Sequence, residues 1–458
     1  VRKNNIRTAG FVLFVFGMGI GTLAAEPEPI ISAGYITPEK DKRADEALHQ
    51  ALLDYQTNTA VTQKAVVSYN VAVAYLNLGR YEEAIPYFEQ TIRLSPYDEK
   101  SYISAGFAYH MVDEHDKGIG YIQKALQINP KNSSAYAQLG AVYFDLGRFD
   151  ESIQAYKKAL ELNPLDDVAY VNLGTVYSRM GKYEETIDCY RKAIAVNPQD
   201  VRAYYNLGSA YYNTGHPDLS VEYYRKAIQI DPMDTDSYCS LGSVLNELGK
   251  REEAIEVFQK ALKINLNLPA AYYGLGLAYD GLGNIEIAIN FLKQAIGLTP
   301  YDVRPYRDLG LLFERTGQYE EALVYYKQAI EHFPKDVENY RRMGICYQGL
   351  KQYEKAIDYY EKGIELNPQY PELYLELAGC YAALDRFNDG VQTYRKAIEL
   401  NPEEGVIYYN LGVLYFNHEK YVEARAQWYK ALELYKKKGQ VPSAESTQGM
   451  IDSIPEGK

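Results

Sequence analysis

Six histidines (His49, His110, His115, His216, His332, His418) and four cysteines (Cys189, Cys239, Cys346, Cys380) are the side chains of this sequence best suited to hold a transition metal or to attack a substrate. Metal hydrolysis would need several of them at ligand spacing, as in HExxH or paired CxxC, because neighbouring ligands must converge from one turn or one helix face. Neither pattern occurs, and each histidine reads as a solvated helix or turn residue. The cysteines show no pair that reads as a staple; they look like free thiols packed in helices. Two stretches, GTVYSRMGK (174–182) and GSVLNELGK (242–250), look faintly like phosphate loops, but their glycines are too far apart for the G-x-x-x-x-G-K cradle. The triplet NSS at 132–134 is a glycosylation sequon, meaningful only in a eukaryotic secretory route. No catalytic residue, metal or cofactor is expected from these spacings.

The charge balance narrows the partners. Against 48 Lys and Arg stand 61 Asp and Glu, a net charge of -13, so phosphate backbones and anionic lipid are repelled and nucleic acid is not expected as a partner. The first 25 residues differ from the rest: Arg2, Lys3 and Arg7 precede an uncharged run from Ala9 to Ala25, after which the chain turns to EPEP. That layout is a signal peptide, with Thr22 and Ala24 as small recognition residues and cleavage after Ala24. The alternative is an uncleaved N-terminal anchor, since the run reaches the low end of a membrane span. Val1 in place of Met is what a bacterial alternative start codon or a fragment would give. The expected location is therefore periplasmic or secreted in a bacterium, or anchored in the inner membrane by the N-terminus. No membrane span is expected in the mature chain unless residues 9–25 are retained.

From 65 to 438 the text recurs every 34 residues without a gap, giving eleven units: 65–98, 99–132, 133–166, 167–200, 201–234, 235–268, 269–302, 303–336, 337–370, 371–404 and 405–438. Position 8 is Gly in nine units and Ala in two (Ala72, Ala378), and position 27 is Ala in nine, with Thr91 and Gly363 as exceptions. Only small residues let two helices approach closely at such points. Position 4 is Tyr in every unit but the first and position 11 in nine, which accounts for much of a total of 47 Tyr. Positions 4, 7, 8 and 11 share one helical face and positions 20, 24, 27 and 30 another, so each unit is two amphipathic helices, with Gly147 suited to a left-handed cap after the first and Pro164 following the second. This pattern resembles the tetratricopeptide repeat family over 374 of the 458 residues. The resemblance implies an all-α fold, a right-handed superhelical solenoid of stacked hairpins whose first helices line a concave face. Departures are Ser68, Leu266 in place of Pro, and Lys351, Asp385 and Glu419 where the cap Gly would be; the last three imply looser hairpin turns. Residues 26–64 form a linker plus an N-capping helix over 41–56, and 439–458 a polar tail or a short capping helix around 443–453.

Positions 2, 5, 9 and 12 flank the packing stripe, and by family resemblance they face the groove with positions 6 and 13. Three features fall there. Gln138, Asn172 and Asn206 place amides at position 6 of three successive units, similar to the Asn ladder by which the superhelix of O-linked N-acetylglucosamine transferase holds peptide backbones; an amide both donates and accepts, so it suits an extended chain of any sequence. Asn is also a common filler there, and Ser240 and Gly274 break the row. Phe107, Phe144, Tyr205, Tyr212 and Tyr273 offer rings to a partner or pack on the next repeat. Arg304, Arg307, Arg315, Arg341 and Arg342 form a basic patch in repeats 8 and 9 for an acidic partner segment, or pair within their helices as Arg304 with Asp308 and Glu338 with Arg342. The family's carboxylate clamp needs Asn at position 9, and no unit has one. The reading is a non-enzymatic interaction scaffold or adaptor for a protein or extended peptide. The alternative is the recognition subunit of a glycosyltransferase-like or polymer-export complex, its catalytic chain separate, since about twenty residues after the last repeat cannot build a catalytic domain.

Overall fold

The computed structural model describes residues 38–57 and 61–454. The expected signal or anchor at 1–25, and the linker that follows it to residue 37, lie outside the described residues. Among those described there are 24 α-helices and no strand. Within repeats, first helices run as Ser133–Asp145, Val201–Asn213, Val303–Arg315, Val337–Gly349 and Pro371–Ala383 do, and second helices as Phe149–Leu162, Tyr319–His332 and Tyr353–Leu366 do. Helix starts at 99, 133 and 167 keep the 34-residue step. The chain is an all-α solenoid of stacked helical hairpins.

Each hairpin closes around one side chain. The residue at position 24 of the second helix is buried in every repeat, and its ring or branch lies on the small residue at position 8 of the first. A Cβ on Gly344 would stand 2.3 Å from Tyr360 Cε1, and one on Gly310 2.5 Å from Tyr326 Cε1. Full burial of such a side chain contributes about 1.5–3 kcal/mol per hairpin. Rings at positions 11 and 23 stack beside it: Tyr109 on Tyr121, Tyr211 on Tyr223 and Phe313 on Tyr325 lie 5.1–5.5 Å apart at 6–26°. In repeats 8 to 11 the position-4 hydroxyls of Tyr306, Tyr340, Tyr374 and Tyr408 donate to the carbonyls of Pro300, Pro334, Pro368 and Pro402 at 3.0–3.2 Å, tying each helix to the turn before it. Positions 23 and 24 hold a further eleven of the 47 tyrosines. Asn132, Asp166, Asp200, Asp302 and Asp336 cap the first helices that follow them.

The hairpin turns correct one expectation. Lys351, Asp385 and Glu419 adopt φ of 57–59°, and Asp113 63°, in the same left-handed region as Gly147 at 70°. Their turns keep the same bonds: Gln352 N to Tyr347 O is 2.8 Å, as is Arg148 N to Tyr143 O. They are not looser; the surrounding hairpin imposes the conformation and the side chain carries the strain. Lys351→Gly and Glu419→Gly are each expected to stabilise the protein by roughly 0.5–1 kcal/mol, the strain relieved less the extra unfolded-state entropy. Urea midpoints decide it; a lower midpoint would show that the side chain compensates locally.

The described residues fall into two compact units that divide between Asp234 and Thr235. In the N-terminal unit the helix Pro38–Thr57 packs on repeat 1 through Leu48, Ala51, Leu52 and Tyr55, with the Tyr55 hydroxyl donating to Gln90 at 2.7 Å. In the C-terminal unit the tail forms the helix Val441–Asp452, which buries Ala444, Thr447 and Ile451 against repeat 11. In both units the first helices of successive repeats touch, so their flanks form a continuous face within each unit.

Candidate functional site

In the N-terminal unit this face is amide and aromatic. Gln138, Asn172 and Asn206 are half-buried on three first helices, 34 residues apart. Asn172 interacts with the hydroxyl of Tyr156. Among the described residues the side-chain amides of Gln138 and Asn206 make no hydrogen bond. Ser240 and Gly274 break the row, the second for a packing reason: a Cβ there would stand 2.1 Å from Phe258 Cζ, and the bare backbone lets Asn246 Nδ2 donate to the Gly274 carbonyl at 2.8 Å. The rings are partly committed to the fold. Phe107 packs edge-on against Tyr81, while Phe144 lies tilted against Phe149 and Tyr205 against Tyr224, each half-buried; Tyr212 is half-buried as well.

In the C-terminal unit the face is a lattice of ion pairs. Tyr273 donates to Asp308 at 2.7 Å while Arg304 lies 5.1 Å from its ring centre. Arg304 donates to Asp302 rather than to Asp308, because Asp302 caps the same first turn, and Arg315 grips Asp280 with two bonds of 2.9 and 3.0 Å. Arg341 sits between Glu338 and Glu376, and Arg342 between Glu338 (2.7 Å) and Glu314 (3.1 Å). Tyr326 donates to Glu314 and Tyr370 to Glu338. Among the described residues Arg307 is the one guanidinium of the five without an ion pair. Asp280, Asp302, Asp308, Glu314, Glu338 and Glu376 thus outnumber the five arginines, so the patch is basic by sequence and close to neutral in place.

Two carboxyls of this lattice are driven apart. Burial alone would push Glu338 up, but hydrogen bonds and charge from Arg341 and Arg342 outweigh it and hold the carboxyl down at about 2. For Glu376 burial wins over Arg341, which it shares with Glu338, and the carboxyl is pushed up to about 7. Its Oε2 is buried without a hydrogen-bond partner among the described residues.

The family comparisons agree with this geometry. Tetratricopeptide repeat profiles match residues 65–98 and 337–370, 371–404 and 393–426, and the profile of the cilia and flagella-associated protein 70 C-terminal domain matches residues 127–336. The chain is a tetratricopeptide repeat protein. Its fold is that of a protein-interaction scaffold. No curated protein matches it. Among solved structures it is similar to YrrB, described as a TPR protein with an unusual peptide-binding site (26% identity, 39% of this chain and 92% of that one, TM-score 0.35), and to MamA (29%, 37% and 92%, 0.35). Yeast Tom70 matches at 19% identity over 86% of this chain and 98% of its own, with a TM-score of 0.39.

The tetratricopeptide scaffold also holds a cluster that the spacing of its residues concealed. His110 is 5% exposed, not solvated: its Nε2 meets Asp145 Oδ2 at 2.8 Å and its Nδ1 meets His115 Nδ1 at 2.8 Å, joining repeats 2 and 3. Among the described residues no group of three His, Cys, Asp or Glu is placed to hold a metal ion, and no helix is long and apolar enough to cross a membrane. Cys189, Cys346 and Cys380 are free and buried, their thiols pushed up to about 12 by burial, so they stay protonated. Asn132 of the sequon caps the first helix of repeat 3 and donates to Glu99 at 3.0 Å, so its amide nitrogen is committed to the fold.

Proposed function

We propose that this protein is a non-catalytic scaffold, exported from a bacterial cytoplasm, that holds an extended segment of a protein partner on the first-helix face of its N-terminal unit. The observation that carries this reading is the amide row. Gln138 and Asn206 have their amides uncommitted within the fold, whereas the comparable charged side chains of the C-terminal unit are already paired. A row of groups that both donate and accept, at the step of one repeat, matches main-chain groups rather than particular side chains. An acidic contact in repeats 8 and 9 falls chiefly to Arg307. Export rests on the arrangement of residues 1–25, which has no role in a hairpin.

Panning the full chain with a random dodecapeptide library tests the groove. Gln138→Ala with Asn206→Ala should weaken the selected peptides by roughly 1–3 kcal/mol in total, about 0.5–1.5 for each lost hydrogen bond, with helicity unchanged because neither amide bonds to another described residue. Equal affinities would remove the amide row from the mechanism. Intact mass of the native protein tests export: a mature start at Ala25 or Glu26 supports it, and a retained leader in a cytosolic fraction overturns it.

A further inference from the structure

The chain Glu314–Arg342–Glu338–Arg341–Glu376 runs across the first helices of repeats 8, 9 and 10. It contains three carboxyls and two guanidinium groups, all at least three-quarters buried except for Glu338, whose side chain is 26% exposed. Two cations cannot neutralise three anions, and the mismatch is localised: Glu338 takes donors from both arginines, whereas Glu376 has one contact to Arg341 Nη1 and an orphaned, buried Oε2. An uncompensated carboxylate in such a place is costly, and the cheapest remedy is a proton.

We infer that Glu376 is a proton-operated latch on the first-helix face of repeats 8 to 10, which when neutral releases Arg341 to an acidic segment of the partner. The inference rests on the acidic contact proposed above for these repeats and supplies its regulation. Protonation removes one negative charge from the lattice and withdraws the carboxylate that competes for Arg341 Nη1. Both changes favour an incoming carboxylate, so the direction does not depend on its pose. Arg307 and Arg341 occupy the same position in successive repeats, so successive acidic residues of an extended segment can meet one each.

The groups around Glu376 support the same direction. From the first helix of repeat 9 come Arg341, Arg342 and Glu338; from its second helix comes Tyr360, whose hydroxyl donates to Gln348; on its own helix lies Cys380. Tyr394, from the second helix of repeat 10, approaches Cys380. The first helix of repeat 11, Gly405–Asn417, contains no charged residue. Burial dominates and leaves the carboxyl half-protonated near pH 7.

The probe is fluorescein-labelled decaglutamate, whose own carboxyls stay largely ionised above pH 6. Wild-type affinity should rise about tenfold from pH 8 to pH 6, the factor expected when binding needs one proton on a group titrating near 7. Glu376→Gln, nearly the same shape, should bind at the pH 6 level throughout. A flat wild-type profile, or a variant with the wild-type slope, overturns the latch while leaving the acidic contact standing. No binding by either protein at any pH overturns the acidic contact itself. Carboxyl 13C titration gives a readout free of ligand: one resonance with a midpoint near 7, absent from Glu376→Gln, is required, and its absence from wild type rejects the proposal.

Discussion

Trp428→Ala is expected to destabilise the C-terminal end of the solenoid by about 3–5 kcal/mol, the range for deleting a large aromatic ring from a core that cannot collapse around the gap. Trp428 is the single tryptophan of the chain and is fully buried at position 24 of repeat 11. Its indole lies against Gly412, stands 5.5 Å from the Phe416 ring and donates Nε1–H to the Tyr409 carbonyl at 3.1 Å. The same cluster contains Ile451 and Ile454 of the capping segment, so the loss reaches the cap as well. Because each hairpin is stabilised mainly by its neighbours, the damage should stay local. Hydrogen exchange should quicken in repeats 10 and 11 and in the helix Val441–Asp452, and remain unchanged before Asp234. Trp428→Phe should recover most of the loss, since Phe88 and Phe258 fill this position in repeats 1 and 6. Uniform loss of protection along the whole chain would show that the repeats are coupled far beyond their neighbours.

The hairpins were legible because their determinants are periodic. A small residue at position 8, a large one at 24 and a turn residue at 15 recur at one step, and a fold made of local contacts writes itself into such a step. What the period does not display is the identity of contacts between repeats. Arg341 reaches Glu376, Arg315 reaches Asp280, Tyr273 reaches Asp308 and His110 reaches Asp145, each pair 35 residues apart, and Arg342 reaches Glu314 at 28. An intrahelical reading at i, i+4 found Glu338 with Arg342 but paired Arg304 with Asp308, whereas Arg304 turns back to the cap Asp302 and Asp308 is taken by Tyr273 of the preceding repeat. Tabulating residues at the period plus one would have exposed the ion-pair lattice and the His110 cluster. The turn at Lys351 escaped for a different reason: backbone conformation there is set by the hairpin on either side, so a poor turn residue is strained rather than released.

Glu338→Ala should cost roughly 1.5–3 kcal/mol, because two largely buried guanidinium groups lose their shared carboxylate while Arg341 keeps Glu376 and Arg342 keeps Glu314. Arg341 and Arg342 are 15% and 23% exposed, too enclosed for water to replace what is lost. The pH dependence identifies the cause. Glu338 is held at about 2 against an ordinary value of 4.5, so its contribution is complete above pH 4.5 and is lost as the pH falls toward 2, a loss of about 3 kcal/mol at the usual 1.36 kcal/mol per unit. Glu376 works in the opposite sense: raised from 4.5 to about 7, it is protonated in the folded protein where the unfolded chain is ionised, so stability falls as the pH rises from 4.5 to 7, by a similar amount. Urea midpoints at pH 3, 5 and 8 should therefore peak at 5 for the C-terminal unit. In Glu338→Ala the difference between pH 3 and 5 should shrink, and in Glu376→Gln the difference between 5 and 8 should vanish. Opposite assignments, with the acid limb surviving Glu338→Ala and the alkaline limb surviving Glu376→Gln, would mean that the lattice distributes its charge in another way and that Glu376 is not the carboxyl holding the proton.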